Sequence, residues 1–266
     1  MSRNIVIGNW KMNPQFLKEA EKLFIGVAES VSLIKKTEVI ICPPFLYLEK
    51  LKKISLGHRP TGEARRISLA AQNVFYEDAG AYTGEVSADM LYDIGARYVI
   101  IGHSERRNPS LGVGENNEIV NKKVKTSIKA GLRPVLCVGE SMRDSNHEYL
   151  NFVETQIKEC LNGISKDSVS KVIIAYEPVW AIGKGAYPAT PEEFREMSIF
   201  IRKILSDKFG VNAVEKVRII YGGSVDEKNT GEFIKDGKAD GFLVGRASLD
   251  AKKFSKIIKI CEALGK

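Results

Sequence analysis

The chain has 266 residues, of which 44% are hydrophobic and 27% are charged, as in an ordinary soluble globular protein. No apolar run reaches the roughly 20 residues that a membrane helix needs, so we expect no membrane-spanning helix. The formal net charge of +7 permits an anionic substrate or a nucleic-acid surface. The lysines, however, are spread along predicted helices, and no basic tract alternates with aromatic residues. We therefore expect no nucleic-acid partner.

The N-terminus leads directly into a strand-like run and lacks a signal-peptide pattern. The four cysteines, Cys42, Cys137, Cys160 and Cys261, show no CxxC spacing. We expect buried free thiols, with Cys137 in the core, and a cytoplasmic location.

Eight apolar, β-branched runs of strand length recur along the chain and predict strands. They are Asn4–Gly8, Glu38–Cys42, Ile67–Ala71, Tyr98–Gly102, Pro134–Val138, Val172–Tyr176, Val217–Tyr221 and Gly241–Gly245.

Segments with helical periodicity separate most of these strands. After the first strand, Asn13 is a candidate N-cap with Pro14 at the first helical position. A later helix opens on a predicted capping box, Thr190 to Glu193.

Strands that alternate with helices indicate a parallel sheet, and near-continuous apolar strands indicate that both of its faces are covered. Eight such units in about 250 residues favour a closed (β/α)₈ barrel. A doubly wound open sheet fits less well, because no GxGxxG motif follows the first strand. Without a linker or a composition break, we predict one barrel domain over residues 1–266.

Polar residues follow the predicted strands, and in a parallel barrel they meet on the C-terminal face. They are Asn9, Lys11, Gln72, Asn73, His103, Glu105, Glu177, Ser224, Gly245 and Arg246.

The most informative of these strand ends is Glu177, which stops an apolar run and is followed by Pro178, Trp180 and a small, glycine-containing loop. Burial raises the proton affinity of a carboxylate, which suits a general base. The loop after the aromatic anchor suits a lid that closes over a ligand. Together they indicate chemistry on an intermediate that has to be kept from water.

The chain resembles the triosephosphate isomerase family from end to end. The similar segments are Gly8–Asn13, Ala71–Val74, Gly80–Glu85, Ile101–Arg107, Val135–Glu140, Ala175–Gly183, Tyr221–Val225 and Gly241–Gly245. The resemblance implies interconversion of dihydroxyacetone phosphate and D-glyceraldehyde 3-phosphate in glycolysis and gluconeogenesis. It also implies a cytoplasmic homodimer that uses neither cofactor nor metal.

The division of roles known for this family assigns Glu177 as the base and His103 as the group that polarises the carbonyl and shuttles protons. A lone His after a strand is more often structural. Here Ser104–Arg107 resembles a helix start, whose positive end disfavours the imidazolium. Lys11 supplies a fixed cation, and Asn9 orients Lys11 and donates to the substrate oxygen. Glu105 is expected to hold Lys11 without transferring a proton itself.

By the same resemblance, backbone amides of Gly183, Ser224, Gly245 and Arg246 bind the substrate phosphate. The lid comprises Ala181, Ile182, Gly183, Lys184 and Gly185, and Tyr221 and Ser224 latch it. The loop around Ala79–Glu85 corresponds to the family's dimer loop, with Thr83 near its tip. Glu85 and Arg106 are candidates for a salt bridge that braces the interface.

Three features depart from the family pattern. The second lid hinge, Ala186–Ala189, is one residue longer than usual and contains Pro188; we predict a lid that still closes. Arg246 replaces the second of a usual glycine pair. It would be strained if that position needs a positive φ, and we expect its side chain to point away from the phosphate. The loop Asn108–Gly114 is longer, with no predicted effect.

Two other functions were weighed against an active isomerase. A barrel that serves only as a binding or scaffold protein would be favoured by loss of Glu177, His103 or Lys11, and all three are present. A related phosphate-binding barrel enzyme with another substrate is disfavoured by the short mouth loops and by the absence of an added acid or metal cluster in the sequence.

Overall fold

The strands of the barrel are parallel and close on themselves in sequence order, with the eighth strand paired to the first. The computed structural model describes residues 3–57, 67–111, 113–181 and 187–265. The strands are β1 Asn4–Asn9, β2 Thr37–Cys42, β3 Ile67–Ala71, β4 Tyr98–Ile101, β5 Arg133–Val138, β6 Ile173–Tyr176, β7 Arg218–Tyr221 and β8 Gly241–Val244. The predicted closed (β/α)₈ barrel is confirmed, and every strand end lies within one residue of its predicted position.

Helices surround the barrel. In the described part of the chain they are α1 Leu17–Ser30, α2 Phe45–Gly57, α3 Ala88–Asp93, α4 Ser104–Arg107, α5 Asn117–Lys129, α6 Glu148–Cys160, α7 Lys166–Val169, α8 Pro191–Phe209, α9 Val211–Val214, α10 Thr230–Lys235 and α11 Ala251–Leu264. Short 3₁₀ turns cover Pro109–Leu111, Val179–Ala181 and Arg246–Leu249. Among the described residues, no helix is long and apolar enough to cross a membrane.

Two apolar cores follow from the alternation of side chains along each strand. The inner core fills the barrel with Ile5, Ile7, Ile40, Cys42, Ala70, Tyr98, Ile100, Val135, Cys137, Ile173, Ala175, Ile220 and Leu243. The outer core lies between strands and helices and includes Phe24, Phe194 and Phe254. All four cysteines are free and buried, as predicted.

The start of α8 confirms the predicted capping box. The Thr190 side chain accepts from the Glu193 amide, and the Glu193 carboxylate accepts from the Thr190 amide. The predicted start of α1 is wrong. The helix begins at Leu17 after an extended Phe16, so Asn13 is not its N-cap and Pro14 is not its first residue. A contact that the sequence does not reveal holds this segment outside the helix. Tyr47 Oη donates to the Pro14 carbonyl at 2.9 Å.

A charged cluster lies at the opposite end of the barrel from the strands' carboxyl ends. Glu38 of β2 accepts hydrogen bonds from Tyr98 of β4 and, at 2.7 Å, from the buried Arg218 of β7. Arg133 of β5 donates to Tyr98 Oη at 3.0 Å. Burial alone would raise the pKa of Glu38, but these hydrogen bonds and the two arginine charges outweigh it and lower that pKa.

We expect Glu38→Gln to lower the free energy of unfolding at pH 7 by about 2 kcal/mol, because the buried Arg218 loses the charge of its half-buried partner. The pKa of the Glu38 carboxyl is lower in the folded chain than in the unfolded chain. Its charge therefore stabilises the fold at pH values above the pKa of the unfolded chain, and this stabilisation is lost as the pH falls through the pKa of the folded chain. The stability of the parent protein toward urea should therefore decrease below about pH 4.5, the ordinary pKa of this carboxyl group, and the variant should lose less stability over the same pH range. Glu49→Gln, at an exposed pair with Lys53, is the matched control and should change little. Equal effects of both substitutions would contradict this account of the cluster.

Candidate active site

A cavity opens at the carboxyl ends of the strands, and residues from six of them line it. Every described residue that sequence analysis assigned to catalysis or substrate binding borders this cavity: Asn9, Lys11, His103, Glu105, Glu177, Ser224, Gly245 and Arg246. Parallel strands in a closed barrel bring their carboxyl ends to one mouth, which is why residues distant in sequence meet here.

Glu177 follows β6 and is 2% exposed. Its amide donates to the Val138 carbonyl at 2.8 Å, which fixes the backbone beside β5. Its Oε2 accepts from the Ser104 amide at 2.9 Å. Its Oε1 lies 3.2 Å from His103 Nε2, but in a direction that makes no hydrogen bond, and this oxygen has no other partner among the described residues. One carboxylate oxygen is thus held while the other is buried and free.

His103 ends the β4 segment and caps α4. Its Nδ1 accepts from the Glu105 amide at 3.2 Å, so the hydrogen-bond pattern assigns no proton to Nδ1. This pattern favours the tautomer with its proton on Nε2, the nitrogen that faces Glu177. The predicted short helix after His103 is confirmed as Ser104–Arg107.

Lys11 has a left-handed backbone with φ of 52°, unusual for a residue with a side chain. Its amide donates to Asn9 Oδ1 at 3.0 Å, and its carbonyl accepts from Gln72 at 2.8 Å. Its ammonium donates to Glu105 Oε1 at 2.5 Å. The structure therefore places Asn9 and Glu105 as the groups that orient Lys11. Gln72 is a further orienting residue that sequence analysis assigned only to a family segment.

The described residues of the predicted phosphate-binding segments line the same cavity as Glu177. Gly245 adjoins Lys11, since a Cβ on this glycine would lie 3.7 Å from Lys11 Cε. Arg246 opens a 3₁₀ turn, is exposed, and is not among the described non-glycine residues with positive φ. Arg246 therefore does not carry the backbone strain that a positive φ would cause. Gly183 lies outside the described residues.

Of the predicted lid, the structure describes only Ala181, which is buried at the end of a 3₁₀ turn. Ile182, Gly183, Lys184 and Gly185 lie outside the described residues. The segment before them is anchored by buried Glu140. Its Oε1 accepts from Tyr176 Oη at 2.7 Å and from Trp180 Nε1 at 2.8 Å. Sequence analysis gave Glu140 no role of its own, because its partners become neighbours only when the barrel closes.

Two further groups at the mouth stay protonated. Burial, and then the charge of Glu193, raise the pKa of the Tyr221 phenol, although the Ser224 amide opposes this shift. Burial, and then the charge of Glu177, raise the pKa of the Cys137 thiol well above its usual value. Cys137 is therefore a core residue, as predicted, and is not suited to act as a nucleophile.

The sequence model of a family described as triosephosphate isomerase matches residues 4–261 of the chain. Several proteins named triosephosphate isomerase are similar to it along almost their whole lengths. That of Caldanaerobacter subterraneus subsp. tengcongensis is 45% identical over 97% of this chain and 99% of its own. That of Dehalococcoides mccartyi is 45% identical over 97% of both chains. That of Aquifex aeolicus is 43% identical over 96% of this chain and 98% of its own.

These matches include the strand ends that carry Lys11, His103 and Glu177, and they extend through all eight strands. The chain therefore belongs to the triosephosphate isomerase family and is an isomerase of triose phosphates that acts in glycolysis.

Proposed function

We propose that the chain interconverts dihydroxyacetone phosphate and D-glyceraldehyde 3-phosphate through an enediolate, with Glu177 as the base. The observation that carries this proposal is the buried, unpartnered Oε1 of Glu177, 3.2 Å from the imidazole of His103. Proton transfer between adjacent carbons needs a base at the carbon and a donor at the carbonyl oxygen. These two side chains supply both groups side by side.

In the forward step, Glu177 removes a proton from the hydroxyl-bearing carbon next to the carbonyl, and the imidazole of His103 gives its Nε2 proton to the carbonyl oxygen. The imidazole then takes the proton of the neighbouring hydroxyl, which becomes the new carbonyl, and the Glu177 carboxylic acid returns its proton to the former carbonyl carbon. A neutral imidazole matches the proton affinity of the enediolate better than an imidazolium, as known for this family. Since no substrate atom fits within the 3.2 Å between the two groups, Glu177 has to leave the Ser104 amide when substrate enters.

Lys11 and Asn9 stabilise the negative charge that develops on the oxygens. The ammonium of Lys11 is held by Glu105, so little rearrangement is needed when charge appears. The phosphate is bound by the amides of Gly183, Ser224, Gly245 and Arg246, and the proximity of Lys11 to Gly245 supports this location. Arg246 contributes its amide, and its exposed side chain points away from the phosphate.

The lid, Ala181–Gly185, closes over the substrate and excludes water. An exposed enediolate phosphate would lose phosphate by elimination, and water would weaken each electrostatic contact. Tyr221 and Ser224 latch the closed lid.

The Glu177 side chain depends on Gly222, directly after β7. The Gly222 amide donates to the Tyr176 carbonyl at 2.8 Å, which brings this backbone against the end of β6. A Cβ at position 222 would lie 2.9 Å from Glu177 Cγ, closer than carbon atoms approach in proteins. Gly222 thus leaves the space in which the base moves.

The enzyme is proposed to act as a homodimer. Large apolar side chains are exposed on the loop after Lys11 and at the start of α2, with Met12 83% and Leu46 86% exposed. The loop containing Thr83 is also exposed, and Thr83 of the partner subunit would support Lys11 and His103. A second copy of the chain would cover these side chains.

The Glu85–Arg106 bridge across the interface stays a prediction. Within one chain, Arg106 Nε donates instead to Glu115 Oε1 at 2.5 Å. Lys123 donates to the same oxygen at 2.7 Å.

A single barrel domain spanning residues 1–266 and a cytoplasmic location complete the proposal. The eight strands share one closed sheet, which supports a single domain. Four free, buried thiols suit a reducing compartment.

We expect purified protein to isomerise D-glyceraldehyde 3-phosphate rapidly, and Glu177→Gln to reduce kcat by roughly 10²- to 10⁴-fold, because the amide cannot accept the proton. Glu118→Gln, an exposed residue of α5, is the matched control and should retain parental kcat. An inactive parent protein would favour either a barrel that serves as a binding or scaffold protein or a phosphate-binding enzyme with another substrate. Full activity in Glu177→Gln would remove this residue as the base.

Gly222→Ala should lower kcat by about 10- to 100-fold, because the added methyl group displaces the Glu177 carboxylate. Gly231→Ala in α10 makes the same change where the nearest atom is 4.0 Å away, and it should leave kcat unaltered. Steady-state kinetics and thermal unfolding of both variants separate displacement of the base from loss of the fold. Equal kcat values in the two variants would contradict the proposed role of Gly222.

Sedimentation equilibrium at micromolar concentration should give about twice the monomer mass of 29.5 kDa. The expected cause is burial of the exposed apolar side chains between two copies. A stable, fully active monomer at this concentration would rule out the dimer and the supporting role of Thr83.

A further inference from the structure

We propose that Arg107 is a positioning residue that fixes His103 and Glu177 relative to each other. The inference rests on the catalytic roles proposed above for those two side chains. Arg107 ends α4 and borders the cavity, yet in the described part of the chain no carboxylate oxygen lies within 4 Å of its guanidinium. Its hydrogen-bond partners are backbone carbonyls, an amide oxygen and a thiol.

Arg107 binds the backbone on both sides of His103. Its Nε donates to the carbonyl of Gly102 at 2.7 Å, and its own amide donates to the carbonyl of His103 at 3.1 Å. The Arg107 side chain therefore holds the peptide group before His103, and the Arg107 amide holds the peptide group after it. This double attachment restricts the backbone angles of His103, on which the direction of Nε2 depends.

The guanidinium of Arg107 also links β4 to β5 just beyond their last paired residues. The last paired residues are Ile101 and Leu136. The next residues along the two strands are Gly102 and Cys137, and both carbonyls accept from Arg107, at 2.7 Å and 3.3 Å. One cation thus replaces the missing hydrogen bonds of the sheet at the level of the active site.

This link leads to Glu177 through β5. The residue after Cys137 is Val138, whose carbonyl accepts from the Glu177 amide at 2.8 Å. Arg107 therefore connects the strand end that carries His103 with the strand end that holds the Glu177 backbone. We infer that this connection fixes the two stretches of backbone from which the His103 ring and the Glu177 side chain reach the substrate, while the Glu177 carboxylate itself stays free to move.

The surroundings fit an arginine closely. Gly102 has φ of +67°, and a Cβ on it would lie 2.9 Å from Arg107 Nη2. Nη1 donates to Asn117 Oδ1 at 2.7 Å, so all three guanidinium nitrogens are engaged. A lysine would keep the charge but could not present three donors in one plane.

The test compares Arg107→Lys and Arg107→Met with Arg97→Lys and Arg97→Met. Arg97 also donates to two backbone carbonyls, those of Tyr92 and Ala96, but it lies just before β4, at the end remote from His103. We expect Arg107→Lys to lower kcat by about 10- to 100-fold with KM changed less than about threefold, because the phosphate contacts are untouched. The Arg97 variants should keep parental kcat.

A second readout does not depend on activity. The chain has three histidines, His58, His103 and His147, so ¹⁵N NMR can resolve their ring nitrogens. In Arg107→Lys the Nδ1 and Nε2 resonances of His103 should shift or broaden, while those of His147 stay in place. Arg97→Lys should leave all of them unchanged.

Parental kcat and parental His103 resonances in Arg107→Lys would overturn the proposal. If Arg107→Met does not fold, Arg107→Lys, which keeps the charge, decides the outcome. If the parent protein showed no isomerase activity, the catalytic roles above would fail. The His103 resonances would still show whether Arg107 fixes this ring.

Discussion

Closure of the parallel sheet is the constraint on which the rest of the structure depends. With β8 hydrogen-bonded to β1, the barrel has no free edge, and all eight strands point their carboxyl ends toward one mouth. Residues as distant in sequence as Lys11, His103 and Glu177 thereby become neighbours. The helices outside and the apolar side chains inside hold this arrangement, so the reacting groups need no flexible segment to bring them together.

The carboxylates of Glu140, Glu38 and Glu177 differ in the groups that hold them, and the difference fits their roles. Glu140 Oε1 accepts from Tyr176, Trp180 and Arg143, and Glu38 accepts from Tyr98 and Arg218. Such carboxylates are structural, because each donor stabilises the charged form in place. Glu177 Oε2 accepts from the Ser104 amide, and its Oε1, like Glu140 Oε2, has no hydrogen-bond partner among the described residues. Arginines pair with Glu140 and Glu38, whereas the described part of the chain gives Glu177 no ion pair except that with His103. The carboxylate without an arginine partner is the one proposed to move and to accept a proton.

Much of the fold could be predicted from sequence, because local patterns determine it, whereas the roles of the candidate-site residues came from the resemblance to the family. Strand periodicity predicted the strands, and the Thr190–Glu193 pattern predicted a cap that depends on adjacent residues alone. The start of α1 could not be predicted, since a hydrogen bond from Tyr47, 33 residues away, holds Pro14 outside the helix. The anchoring by Glu140, the space at Gly222 and the contacts of Arg107 likewise depend on which strand ends become neighbours, and no local pattern encodes them.

The bond between Trp180 and Glu140 gives the enzyme an optical property of its own. The chain has two tryptophans, and Trp10 is fully buried in the core. Trp180 is partly exposed, lies next to the lid, and donates its indole N–H to a carboxylate while Arg143 lies 5.1 Å from its ring. Any change in the hydrogen bond between Trp180 and Glu140 alters the emission of one of the two tryptophans. Intrinsic fluorescence of the unlabelled protein therefore reports directly on the segment from which the lid extends.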